Sequence, residues 1–163
     1  GLVKTDLSFD LFGSDGSTSI HWLSIWAELD KFGVGQTYSN FMDIDVFPNT
    51  IDYWGPAGMV FVRNPQLRYS PRSQDGMGVV VALEAPNSAL DTGKISEISP
   101  DFGAGFEGWN RLPALTGSFR YSGDWGHVKA AGILRQVGYQ QTLTPDNNPS
   151  GHQPGYGLNL TGT

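Results

Sequence analysis

The residues of this sequence best suited to chemistry lie in one acidic, aromatic stretch at residues 41–57. Its carboxylates and largest rings are Asp43, Asp45, Asp52, Phe47, Tyr53 and Trp54. Carboxylates one residue apart are common in calcium loops, although this stretch lacks the glycine turn and closing glutamate of an EF-hand. Two acids beside a tryptophan are also typical of glycoside hydrolysis, in which Asp43 and Asp52 would act. A solvated acidic loop is the plainest alternative.

A second chemical group consists of basic residues at central positions of segments with alternating polarity. Its members are Arg63, Arg68, Arg120, Lys129 and Arg135, and His127 is a further candidate beside them. Rows of arginine and lysine favour anions inside a pore, and a guanidinium binds a carboxylate through two parallel hydrogen bonds. The alternative is that these cations only neutralise Asp6, Asp10, Glu84 and the acids of residues 41–57.

Other kinds of chemistry find no support in the sequence. His21, His127 and His152 lie on separate predicted elements and lack the spacing of a metal site. The chain contains no G-x-S-x-G nucleophile motif and no phosphate-binding loop. We therefore expect a protein that is not an enzyme and has no resident metal or cofactor.

Composition narrows the class of protein further. The net charge of −6 argues against a nucleic-acid partner, and the absence of cysteine excludes a disulfide framework. No apolar run approaches the ~18 residues of a membrane helix, which leaves a membrane β-barrel open because barrel strands alternate apolar and polar residues. The chain begins at Gly1 without an initiator methionine, so we expect a processed form or an internal portion.

The elements that must position these residues are β-strands. In the first segment, Leu7 and Phe9 alternate with Asp6 and Ser8, which is the period of a strand with one apolar and one polar face. The same pattern predicts about eight strands and no capped helix. These strands lie near residues 2–12, 17–29, 32–40, 58–70, 76–85, 113–123, 125–139 and 154–163.

Short and long connections alternate along the chain, with the long ones near residues 41–57, 86–112 and 140–153. In an up-and-down meander this places every short turn at one end, which is typical of an outer-membrane barrel. The alternative is a soluble β-sandwich with its apolar face packed inward. A change of phase predicts a bulge at Asn64-Pro65, which would put Arg63, Gln66 and Arg68 on one face.

Aromatic residues near the predicted strand ends indicate interfacial girdles. The candidates are Trp22, Trp26, Tyr38, Tyr121, Trp125 and Tyr139. Ordinary core packing is the alternative.

Three stretches resemble the DcaP-like family of Gram-negative outer-membrane porins. They are GQTYSNFMDIDVFPNTIDYWGPAGMVFVRNPQLRY, LTGSFRYSGDWGHVKAAGILRQVGY and GYGLNLTGT. The resemblance implies a sixteen-stranded, transmembrane, antiparallel up-and-down β-barrel that assembles as a homotrimer among outer-membrane lipids. Residues 1–163 would be one partial barrel domain, spanning the third to the tenth strand.

The resemblance also implies passive diffusion of small solutes, with organic anions such as dicarboxylates favoured. The connection at about 41–57 would fold into the barrel, so that Asp43, Asp45 and Asp52 form the constriction. Arg63, Arg68, Arg120, Lys129 and Arg135 would line the lumen and bind anions. Two alternatives stay open: a soluble β-sandwich that binds or cleaves carbohydrate, and a small closed eight-stranded barrel.

Overall fold

The computed structural model describes residues 2–13, 16–49, 51, 60–86, 93–143 and 149–163. Within these ranges the chain is almost entirely β. The strands are β1 (Val3–Phe12), β2 (Thr18–Leu29), β3 (Phe32–Tyr38), β4 (Arg63–Gln74), β5 (Met77–Glu84), β6 (Phe106–Gly108), β7 (Ala114–Gly123), β8 (Gly126–Gln141) and β9 (Ser150–Gly162). A 3-10 turn spans Ile44–Val46, and there are two short helices, α1 (Lys94–Ile98) and α2 (Pro100–Ala104).

The strands form one antiparallel sheet in the order β1-β2-β3-β4-β5-β7-β8-β6, with β9 also paired to β8. This up-and-down succession confirms the all-β fold predicted from alternation. The eight predicted strands correspond to every strand except the short β6. The sequence pattern also missed α1 and α2, because five-residue helices are too short to show a 3.6-residue period.

From β2 onward, tight turns alternate with long connections, whereas only residues 13–17 separate β1 from β2. Residues 30–31, 75–76 and 124–125 join neighbouring strands directly, whereas residues 39–62, 85–113 and 142–149 separate them. Asp75 and Gly76 have φ values of 54° and 74°, the left-handed pair that matches the twist of a two-residue hairpin. The predicted alternation of short and long connections is therefore confirmed.

The chain divides into two compact units. The first comprises Gly1–Glu84, Leu115–Ile133 and Gly157–Thr163, and the second comprises Ala85–Ala114 and Leu134–Tyr156. In the second unit, β6 pairs with the end of β8 from Phe106–Gln141 to Gly108–Tyr139. The candidate site described below lies wholly in the first unit.

In the first unit the sheet exposes its apolar face, and its polar face is buried at Glu84 and Thr116 but exposed on β1. Leu7 is 67% exposed and Leu67 is 52% exposed, whereas Glu84 and Thr116 are at 1% and 0%. A soluble sandwich packs its apolar face inward, so the sandwich alternative is wrong. A sheet whose apolar face contacts lipid and whose polar face lines an interior has this distribution.

Two local predictions are wrong, and the first is the bulge. Gln36, Thr37 and Tyr38 pair in unbroken register with Pro65, Asn64 and Arg63, so β4 has no bulge at Asn64-Pro65. The register shift lies further along, between Tyr69 and Arg72 on the β5 side. Pro65 is itself an exposed residue of this regular strand.

The second wrong prediction is that Trp26 belongs to an aromatic girdle. Trp26 is instead buried on the polar face, with 7% of its surface exposed. Its indole ring covers Gly33, where a Cβ would lie 2.2 Å from Cζ2, and its Nε1 donates to Glu28 at 2.8 Å. Glycine at position 33 is what leaves room for this ring. Trp22 and Trp125, in contrast, are exposed and pair with Phe9 and Tyr121.

The exposed apolar face generates a prediction at Leu67, which lies between Val34 of β3 and Leu83 of β5. Leu67→Arg should destabilise the intact protein in a bilayer by roughly 2–4 kcal/mol if the residue is near the midplane, because a guanidinium is then placed in hydrocarbon. Urea unfolding in lipid vesicles measures this change.

The matched control places the same side chain on the polar face. Asp6→Arg, at an exposed position of β1, should change the unfolding free energy by only about 0.5 kcal/mol. Equal effects of the two substitutions would contradict a lipid-facing apolar surface.

Candidate functional site

The chain leaves β3 at Tyr38 and folds back against the polar face of the sheet. We call residues 39–47 the anchored segment. Ser39 starts it with two bonds: its backbone N–H donates to Val62 O at 3.0 Å, across to the chain that enters β4, and its Oγ accepts locally from Phe41 N at 3.1 Å. The 3-10 turn follows, capped by the Asp43 side chain, which accepts from Asp45 N at 3.3 Å. Short-range capping therefore gives the anchored segment a defined shape.

The first anchor is formed by Asn40 and the buried carboxylate of Glu84, the last residue of β5. Glu84 Oε1 accepts from Asn40 N at 2.9 Å and from Thr116 Oγ1 at 2.7 Å. Glu84 Oε2 accepts from Asn64 Nδ2 at 3.1 Å. Ser118 Oγ donates to Asn40 Oδ1 at 2.7 Å. The beginning of the segment is thus attached to β4, β5 and β7.

The second anchor is Asp43, whose carboxylate is almost fully buried at 4% exposure. Its Oδ2 accepts from Thr161 Oγ1 of β9 at 2.6 Å and lies 2.8 Å from His127 Nε2 of β8. Because a carboxylate only accepts, Nε2 carries the proton. The other ring nitrogen, Nδ1, lies 3.1 Å from Thr163 Oγ1.

Further contacts tie the backbone and the next carboxylate of the segment to the same strands. Asn159 Nδ2 donates to Phe41 O at 3.0 Å, and Lys129 Nζ donates to Met42 O. Arg120 Nη1 forms an ion pair with Asp45 Oδ2 and lies 3.7 Å from Asp43 Oδ1. Strands β7, β8 and β9 therefore supply polar partners along the segment.

The structure brings several predicted site residues around one small cavity of about 180 Å³. Asp43, Asp45, Arg68, Arg120 and Lys129 all line it. Asp43, Asp45, Arg120 and Lys129 take part in the contacts already described, whereas Arg68 makes separate contacts.

Arg68 is held firmly at the edge of this cavity. Its Nη2 donates to Tyr38 O at 3.0 Å and to Gln66 Oε1 at 2.9 Å. Its guanidinium carbon lies 5.1 Å from the centroid of the Trp26 ring, within the range of a cation–π contact. The cavity therefore presents a positioned guanidinium rather than a freely rotating one.

Two of the predicted site residues that the structure describes do not line this cavity. Arg63 faces Tyr38 across the β3–β4 ladder, donates to its hydroxyl at 3.0 Å and stacks on the Phe61 ring. It shares strand parity with the exposed Leu67, opposite to Arg68. Arg135 belongs to the second unit. Asp52 lies outside the described residues.

Glu84 is central to the site, yet it was not among the predicted site residues, and His127 was predicted only as a companion of the basic residues. The signal for Glu84 was a lone carboxylate at the end of an otherwise apolar strand, MGVVVALE. The signal for His127 was its parity with Lys129. Neither signal identifies the partner across the sheet.

Asp43, Asp45 and His127 offer donor atoms within 4.8 Å of one another, a spacing that a metal ion could use. The same oxygens already face Arg120 and Lys129, and Oδ2 of Asp43 already accepts two hydrogen bonds. A divalent cation would have to displace the guanidinium from Asp45. The arrangement therefore suits side-chain ion pairing better than metal coordination.

The acid–base balance of Asp43 follows from its neighbours. Burial raises the pKa of this carboxyl group, but hydrogen bonds from Thr161 and His127 and the charge of Lys129 outweigh that effect, so the pKa lies below its ordinary value of 3.8. Asp43 is therefore a carboxylate throughout the physiological range.

The two buried bonds of Asp43 predict the result of removing its carboxylate. Asp43→Ala leaves the His127 Nε2–H and the Thr161 hydroxyl without a buried acceptor, at a cost of about 1–3 kcal/mol for each group. Urea unfolding and hydrogen exchange of residues 39–47 measure the loss. Asp43→Asn keeps one acceptor oxygen and should cost less; equal losses would contradict the assigned bonds.

The lowered pKa of Asp43 also predicts a pH dependence. Because the folded-state pKa is below the unfolded value, the stabilisation is complete above about pH 5 and is lost as the pH falls through the folded-state value. Protection of residues 39–47 from hydrogen exchange should follow this course. Asp43→Asn should remove the loss of protection that accompanies protonation of Asp43. If the variant keeps the same pH profile of protection, another group is responsible for it.

Comparison with known proteins shows the fold. The outer membrane channel DcaP of Acinetobacter baumannii matches with a TM-score of 0.68 and 21% sequence identity, over 96% of this chain and 42% of that chain. No family model and no curated protein matches the sequence. Among the described residues, the helices are too short and too polar to cross a membrane. The chain spans less than half the length of the channel it matches, and it has the fold of a β-barrel segment of such a channel.

Proposed function

We propose that this chain forms part of the wall and the constriction of an outer-membrane porin, through which small solutes diffuse passively. The observation that carries the proposal is the anchored segment, which covers the polar face of the sheet and is bonded to it from Asn40 to Asp45. A connection that lies on a polar interior narrows the space there. Its backbone is satisfied by wall residues, as a segment inside a membrane protein requires.

The charges of the cavity support organic anions, such as dicarboxylates, as the favoured solutes. Three cations, Arg68, Arg120 and Lys129, face two carboxylates, Asp43 and Asp45. The carboxylates are engaged by Arg120, His127 and Thr161, whereas Arg68 is bonded to neutral groups. Among the described residues no carboxylate lies within 4.0 Å of the Arg68 guanidinium, although Glu84 and Glu28 are near enough to act on its charge. Such a guanidinium is suited to a carboxylate of a passing solute.

The proposal includes porin activity, a location in a Gram-negative outer membrane and a homotrimeric assembly. The fold supports the first two, because an apolar outer face and a polar inner face suit a lipid-embedded pore. No catalytic step is needed, since diffusion is passive.

Conductance of the intact protein in planar bilayers tests the proposal. Purified protein should give discrete channels, and a salt gradient should give a reversal potential that indicates preference for anions. The absence of channels from folded protein would overturn the proposed function. Mass measurement of the detergent-extracted assembly tests the trimer separately.

Arg120 and the two carboxylates generate opposite predictions for selectivity. Arg120→Ala should weaken the anion preference, because it removes the cation that offsets Asp45 and Asp43. Asp43→Asn combined with Asp45→Asn should strengthen that preference. Reversal potentials under a potassium chloride gradient measure both changes.

Arg63→Ala is the matched control, since Arg63 packs on Tyr38 and Phe61 and does not line the cavity. It should leave the reversal potential unchanged. A response to Arg63→Ala as large as that to Arg120→Ala would place the selective charges elsewhere.

A further inference from the structure

Glu84 is a buried charge that no solute would touch. It ends β5, its side chain is 1% exposed, and it is not among the residues lining the cavity beside Asp43 and Asp45. Its role must therefore be exerted through the groups to which it is bonded.

The carboxylate of Glu84 is satisfied by hydrogen bonds from uncharged groups. The donors are the Asn40 backbone N–H, the Thr116 hydroxyl and the Asn64 amide, each from a different element. In the part of the chain that the structure describes, no basic side chain forms an ion pair with Glu84 within 4.0 Å. Three donors from three elements make this side chain a junction between the wall and the anchored segment.

The charge of Glu84 has a cost that an uncharged residue would avoid. A buried carboxylate loses its hydration and is tolerated only when its hydrogen bonds replace the lost water. In return, a bond from an N–H group to a carboxylate is roughly twice as strong as one to a neutral oxygen. One of these bonds holds the Asn40 N–H, which belongs to the connection rather than to a strand.

Asn40 is where the connection turns away from β3, and its side chain is fixed as well. Ser118 Oγ donates to Asn40 Oδ1 at 2.7 Å, and Asn40 Nδ2 reaches Val80 O at 3.4 Å. The backbone direction at Asn40 determines where Asp43 arrives, because the segment between them is short. Through Asn40, Glu84 therefore sets the direction from which the segment reaches its second anchor at Asp43.

We propose that Glu84 is the positioning residue of the constriction: it fixes the path of residues 39–47, and thereby the pore width, without contacting the solute. The inference rests on the proposed porin function. It concerns the width of the pore, whereas the selectivity prediction above concerns the charges that line it.

Glu84→Ala removes all three acceptor contacts and should release the start of the anchored segment. Single-channel conductance of the intact protein should rise and become noisier, because the segment no longer holds one position. Asp6→Asn removes one carboxylate from an exposed position of the same polar face and should leave the conductance unchanged. A Glu84→Ala channel with the conductance of the unchanged protein would overturn the proposal.

Two conservative variants separate position from charge. Glu84→Asp keeps the charge but shortens the side chain by one methylene, so it should raise the conductance. It also carries the test if the alanine variant does not fold. Glu84→Gln keeps the length. Asn64 presents its Nδ2 to Glu84, and a turn of the Asn64 amide group would present Oδ1 instead, which is buried without a hydrogen-bond partner in the described structure and could accept from the new amide. The Glu84→Gln channel should resemble the unchanged protein; a glutamine variant with altered ion preference and unchanged conductance would show that Glu84 acts by its charge, against the proposal.

A covalent tether tests position directly, because the chain has no cysteine of its own. Asn40→Cys with Ser118→Cys introduces thiols at two side chains that are in contact. In the Glu84→Ala background, disulfide formation should restore the lower conductance, and a reductant should raise it again. With the disulfide confirmed by mass, a conductance that stays high would overturn the proposal. If the unchanged protein formed no channels at all, the porin function itself would be overturned instead.

Discussion

The pairing of buried polar groups on one face of the sheet is the constraint from which the other features follow. Thr116, Glu84 and His127 face an interior, and each needs a partner there because an unsatisfied buried polar group costs free energy. The anchored segment supplies these partners. With its polar face satisfied in this way, the sheet can leave its apolar face to lipid, which needs no hydrogen bonds from the protein.

The strand pattern was the part of the fold that the sequence could predict. Alternation through residues such as Leu7 and Asp6 marks both the strand and its two faces, since side chains of a strand point to opposite sides in turn. The family resemblance added which face contacts lipid, and this agrees with the exposure of Leu67. Short helices and the three-residue β6 escaped prediction, because a few residues cannot display a period.

The candidate site could be predicted only in part, for a physical reason. Parity shows that Arg120 and Lys129 each belong to the polar face, but it does not show which loop residue reaches them. The bonds of Asp43 to His127 and Thr161 depend on the path of a connection remote in sequence. For Arg63 the error concerned the face of the strand. The predicted bulge at Asn64-Pro65 placed Arg63 on the same face as Arg68, but the pairing is regular and the two residues lie on opposite faces.

The sequence distance between the anchored segment and its partners has a consequence for folding. Phe41 and Asp43 bond to Asn159 and Thr161, in each case 118 residues along the chain. Contacts between such distant residues form slowly, whereas two-residue hairpins such as β4–β5 form from local contacts. The segment can complete its anchoring only after β9 has joined β8. An assembling barrel therefore passes through a stage with strands already paired and an interior still open.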